Sequence, residues 1–150
     1  MIQPAEVFID CEFNSYQGAL ISMALVAMDG REMYCQVPIE RDSIDPWVAA
    51  NVVPVIGVDS DADMVGHGEL PHRIAKFLAP YSAVHLVADW PDDVRFFCDY
   101  LITGPGERVD TPPLTMEIRR DLDADSAVPH NALHDARGIR DLYLSLMSDA

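Results

Sequence analysis

Apolar residues along this chain fall into short runs whose spacing alternates between strand-like and helix-like. Glu6-Val7-Phe8-Ile9-Asp10-Cys11-Glu12-Phe13 is short, β-branched and aromatic, and predicts a first strand. After Asn14 to Gly18 comes a second apolar run, Ala19 to Met28. Asp29-Gly30 is a strong hairpin signal, and Arg31 to Val37 alternates well enough to return as a third strand. The chain is therefore predicted to open as an antiparallel meander. Pro38 ends that region, and Ser43 to Val53 carries a capping residue ahead of Pro46, which predicts a short helix. Gly57 to Gly68 is rich in Asp and Gly and predicts a loop, followed by a helix over Glu69 to Leu78 with Leu70, Ile74, Phe77 and Leu78 on one face. Ala83 to Ala88 predicts a strand, and Pro91-Asp92-Asp93 opens a helix through Phe96, Phe97, Tyr100 and Leu101. Thr103 to Glu107 breaks the chain, Pro112 and Pro113 predict further irregular structure, and Asn131 to Met147 predicts an amphipathic closing helix. Three meander strands followed by alternating helices and strands make an α/β fold with a mixed sheet, antiparallel first and parallel after, flanked by helices.

Length and composition agree with one domain over residues 1–150, with no internal repeat or linker. A chain of 150 residues that is 49% hydrophobic buries roughly two thirds of its unfolded surface. It has no apolar run of membrane-spanning length and no basic, apolar leader at its amino end, so a cytoplasmic protein without membrane contact is expected. The 3 cysteines, Cys11, Cys35 and Cys98, are scattered, which predicts core thiols and neither disulfides nor zinc. A formal charge of -15 argues against a binder of long duplexes. It does not exclude a nuclease, since carboxylates gathered around divalent cations reverse the local field.

Three acid-bearing segments change the picture. Asp10 and Glu12 stand at i and i+2 on a strand, so both carboxylates project from one face of an otherwise apolar element. Ionised acids there require solvent, a cationic partner or metal. Asp89-Trp90-Pro91-Asp92-Asp93 packs three acids where a strand gives way to a helix, a place where capping alone also accounts for them. His130 precedes Asp135 by five residues at a loop-to-helix junction, which lets a base and a metal ligand face one cleft.

Together these segments resemble the DEDD exonucleases, in the branch whose third motif carries histidine. Ile9-Asp10-Cys11-Glu12-Phe13 is similar to their first motif, and His130-Asn131-Ala132-Leu133-His134-Asp135-Ala136 to their third, as in oligoribonuclease and ribonuclease T. Asp93-Val94-Arg95-Phe96-Phe97 fits the middle motif best, with Asp89 as the other candidate. Leu20 to Val26, Asp29 to Glu32 and Pro46 to Pro54 extend the likeness to the RNase AS-like exoribonucleases over most of the chain.

The resemblance implies a ribonuclease H-like fold. It also implies a 3'-to-5' exonuclease with two Mg or Mn ions on Asp10, Glu12, Asp93 and Asp135, and His130 as general base. Phe13, Met23 and Trp47 are the implied substrate contacts, with Phe13 the better candidate for stacking on a terminal base. The implied substrate is a single-stranded 3' end, RNA in preference to DNA, and the implied assembly a homodimer. Two other readings stay open: a DNA exonuclease, and a catalytically silent nucleotide- or protein-binding domain on the same fold. Arg119, Arg120, Arg137 and Arg140 are expected to form at most a modest basic patch near the third motif.

Overall fold

A computed structural model describes residues 3–59 and 61–149. Strands β1 (Ala5–Phe13), β2 (Leu20–Ala27) and β3 (Glu32–Gln36) form the antiparallel meander that the alternating runs predict. The turn between β2 and β3 closes through a 2.8 Å bond from the Ala27 N–H to the Arg31 carbonyl, and Gly30 there takes a φ of +96°, which costs a residue without Cβ little. Helix α1 (Pro46–Asn51) begins where the capping signal places it. Asp45 Oδ1 accepts from the Trp47 N–H at 2.9 Å and from the Val48 N–H at 3.4 Å.

The chain continues through β4 (Asp63–Met64), α2 (Leu70–Leu78), β5 (Val84–Ala88) and α3 (Pro91–Leu101). A small hairpin, β6 (Ile102–Gly104) with β7 (Glu107–Arg108), precedes β8 (Leu114–Ile118) and the long closing helix α4 (Ala132–Ser148). The main sheet has the order β4-β3-β2-β1-β5-β8. Its pairings are antiparallel across β3, β2 and β1 and parallel at β1/β5, β5/β8 and β3/β4.

Three features depart from the sequence expectation. The stretch predicted to be irregular after Pro112 and Pro113 contains β8, a five-residue edge strand paired with β5 from Val84/Leu114 to Ala88/Ile118. A proline just ahead of an edge strand removes no ladder hydrogen bond, so the two prolines do not forbid it. The predicted loop Gly57 to Gly68 includes β4, and the break at Thr103 to Glu107 closes as the β6/β7 hairpin. Both rest on a few backbone bonds and leave no hydrophobic pattern to read.

Side chains of β1 alternate between two apolar layers. Val7, Ile9 and Cys11 pack into the larger core with Leu70, Ile74 and Phe77 of α2 and Phe97 of α3. Phe8, on the opposite face, packs with Ile139 and Tyr143 of α4, its ring 5.1 Å from that of Tyr143. Burying a side chain of this size is worth roughly 1.5–3 kcal/mol, so β1 is gripped on both faces. Asp10 and Glu12 continue the face that Phe8 begins, beneath α4. Cys11 and Cys35 are buried free thiols, whereas Cys98, expected in the core as well, is only partly buried against it.

Candidate metal centre

Parallel pairing brings the acids together. β1 and β5 run side by side up to Phe8 opposite Val87, and two residues further along each strand stand Asp10 and Asp89. The crevice at the carboxyl ends of parallel strands is where such sheets hold ligands. Cys11 lies past the last β1 residue paired with β5, and its N–H donates instead to Asp93 Oδ1 at 3.0 Å. That bond fixes the first turn of α3 against the end of β1, with Asp93 buried. Asp135, in the first turn of α4, approaches from the other side.

The result is two overlapping acid groups. Asp10, Glu12 and Asp135 each offer a carboxylate oxygen, all within 4.8 Å of one another, and so do Asp10, Asp89 and Asp93. Asp10 belongs to both. The sequence left Asp93 and Asp89 as alternatives for the middle position, and the fold brings both of them to Asp10.

These carboxyls hold their protons unusually tightly. Burial pushes Asp10 well above the ordinary aspartate range, and the charges of Asp93 and Glu12 add to it. Asp93 is raised likewise by burial and then by Asp89. Glu12 is pushed up to about 9, by burial first and by Asp135 second. Asp89 and Asp135 are also raised, both chiefly by burial. Oδ2 of Asp10 and Oδ2 of Asp93 are buried without a hydrogen-bond partner among the described residues. Such atoms cost stability unless something outside the chain satisfies them. An all-oxygen donor set of this kind fits Mg or Mn and does not favour zinc.

His130 completes the arrangement. It sits directly before α4 at a φ of +69°, exposed, and lines a cavity of about 260 Å³ together with Asp10, Asp89 and Asp135. Its ring meets that of Trp47 edge-on at 5.0 Å, so the Trp47 implied as a substrate contact stands at the mouth of the centre. Asn131 holds this corner together. Its Oδ1 caps α4 by accepting from the His134 N–H at 3.1 Å, and its Nδ2 donates to the carbonyls of Val55 and Ile56 at 2.9 and 3.0 Å. Asn131→Ala removes the cap and strands two carbonyls, and is expected to cost about 2–4 kcal/mol, measured as a lowered urea midpoint.

No protein-family model matches this chain, and no curated protein matches it. The assignment of chemistry therefore stands on the residues themselves.

Of the implied substrate contacts, Phe13 lines a cleft next to the acids and Trp47 is 55% exposed beside His130. Met23, also implied as a contact, is fully buried in the larger core, inside a strand with no exposed residue. Three of the four arginines of the expected basic patch are ion-paired, and the fourth, Arg120, donates to the Asp89 carbonyl and lies over the Trp90 ring. Arg119 binds Asp121 and Glu117, Arg137 binds Glu32, and Arg140 binds Asp141. Sequence reasoning missed Asp123 and Asp125, which line the His130 cavity from the segment before α4. It also missed Tyr16 and Trp90, whose exposure was the available signal only once the fold was known.

Proposed function

We propose that this protein is a metal-dependent 3'-to-5' exoribonuclease on a ribonuclease H-like fold, of the histidine-bearing DEDD kind. The observation that carries the proposal is the pair of acid groups sharing Asp10, each with carboxylate oxygens close enough together to hold a metal ion. The motif resemblance, the mixed sheet and the position of His130 support it.

In this reading Asp10, Glu12 and Asp135 would hold one divalent cation, and Asp10, Asp89 and Asp93 the other. A pair of Mg or Mn ions, when bound, supplies positive charge for the phosphoryl oxygens and for the departing 3' oxygen. His130 accepts a proton from the attacking water at a ring nitrogen, a role suited to a side chain that titrates near neutrality in water. Trp47 and Phe13 orient the terminal nucleoside. Preference for RNA over DNA is carried by the likeness to RNase AS-like enzymes.

A 5'-labelled oligoribonucleotide incubated with Mn should shorten one nucleotide at a time from its 3' end, releasing mononucleotides, and EDTA should stop the reaction. A substrate that stays full length with Mn would sink the enzyme reading. The same oligodeoxyribonucleotide distinguishes RNA from DNA preference.

A further inference from the structure

A second cavity, larger than the one at His130, lies beside the amino end of α3. About 890 Å³ in volume, it opens between the loop joining β1 to β2 and the amino end of α3, with Phe13, Tyr16, Gln17, Trp90 and Arg95 in its walls. We propose that this cleft is a nucleobase site in which Tyr16 and Trp90 stack on the base of a nucleotide upstream of the one removed. The attachment of that base to a scissile strand rests on the exonuclease reading; the base site itself does not.

Continuity with the metal centre is the first argument. Phe13 directly follows Glu12, Trp90 directly follows Asp89, and Asp92, also in the wall, directly precedes Asp93. The cleft and the acid centre are thus built from the same strand end and the same helix start. A strand whose end lies among the acids passes into this cleft next.

Chemistry of the walls is the second. Tyr16 is 76% exposed and Trp90 47% exposed, large aromatic surface left open on a chain that buries most of its aromatics elsewhere. Arg95 is already engaged with Asp92 at 3.2 Å and Asp99 at 3.8 Å. Arg95, the one cation in the lining among the described residues, is therefore already paired, and the walls present aromatic faces that suit a flat heterocycle. Its volume falls in the range of small-molecule sites.

Rigidity is the third. Tyr16 is flanked by Ser15 at a φ of +63° and Gln17 at +58°, conformations that non-glycine residues seldom adopt. The loop is closed by bonds from the Asn14 N–H to the Ala19 carbonyl at 2.9 Å and from the Gly18 N–H to the Ser15 carbonyl at 3.0 Å. A Cβ on Gly18 would lie 1.7 Å from the Asn14 carbonyl oxygen, so only glycine permits this path. The Asn14 side chain anchors the loop to Ser43 and Asp45 at 2.9 and 2.8 Å. On the opposite wall the Trp90 indole N–H donates to Asp92 at 2.9 Å, and the Arg120 guanidinium lies 4.8 Å from the ring centre. The backbone that carries Tyr16 and the ring of Trp90 are held before any ligand arrives, which lowers the ordering cost of binding.

The test is fluorescence of Trp90 in a Trp47→Phe protein, titrated with adenosine in EDTA, so that neither metal nor cleavage enters. Saturable quenching is expected, absent with ribose 5-phosphate and weakened about 5- to 150-fold by Tyr16→Ala. In the Mn-dependent assay on the wild-type background, Tyr16→Ala should raise KM by a similar factor and leave kcat within about twofold. No saturable quenching, or quenching indifferent to Tyr16→Ala in a variant with an unchanged melting temperature, overturns the base site. Quenching as expected with no cleavage by the wild-type protein overturns the exonuclease reading and leaves the base site standing.

Discussion

Asp10→Asn is expected to abolish Mn-dependent cleavage while making the cation-free protein more stable. Activity should fall by far more than the roughly 10- to 100-fold that loss of an outer partner of a metal ligand costs, because Asp10 is the one acid common to both groups. Stability moves the other way because Asp10 is buried among Asp93, Glu12, Asp135 and Asp89, all of which raise its proton affinity. An amide of the same shape removes that repulsion. The melting temperature in EDTA should rise by a few degrees, at about 2–4 °C for each kcal/mol recovered.

The pH dependence has a definite sign. Glu12 titrates at about 9 in the fold against an ordinary 4.5, so between those values the folded state binds more protons than the unfolded chain. The Glu12 contribution to stability in EDTA is fully present below about pH 4.5 and is lost as pH rises toward 9. Thermal unfolding at several pH values, with and without Mn, measures this. An Asp10→Asn protein that keeps its activity, or melts lower in EDTA with an intact sheet by circular dichroism, would contradict the assignment of Asp10.

Replacing His130 should reduce kcat by roughly two to four orders of magnitude with Mn affinity largely kept, since in the proposed reaction the ring would take a proton and hold no metal. The backbone at this position decides which variant to trust. At a φ of +69° an asparagine is well accommodated, whereas alanine pays about 1–2 kcal/mol for the left-handed conformation. His130→Asn and His130→Ala should therefore lose the same activity, and only the alanine variant should melt lower. Calorimetric titration with Mn separates metal binding from turnover. A wild-type rate in either variant would remove His130 from the mechanism.

Much of the centre was legible in the sequence because covalent spacing dictates it. Two residues apart on a strand, Asp10 and Glu12 must share a face, and a histidine just before a helix must lie near an acid in its first turn. The meander and α4 were legible for the same reason: their apolar periods are long and clean. What spacing cannot reveal is pairing between distant segments. Asp89 meets Asp10 only because β5 lies parallel to β1 in one register, and Asn131 clamps α4 only because Val55 and Ile56 arrive beside it. The burial of Met23 was not legible because all eight residues of β2 are buried, so that strand has no polar face to mark which side chains look outward. β8 went unread because a five-residue edge strand behind two prolines carries too short an alternation.

The ion pairs that occupy Arg119, Arg137 and Arg140 have a consequence for kinetics. With those cations neutralised and a formal charge of -15 remaining, the surface repels an approaching polyanion instead of steering it inward. The repulsion grows with the number of phosphates that come within the screening distance, about 8 Å at physiological ionic strength. For the proposed substrate each added nucleotide would slow encounter, and cations held at Asp10 would attract only the phosphate that reached them. Sorting of substrates by length would then be done by the field around the molecule, before any part of the cleft is touched.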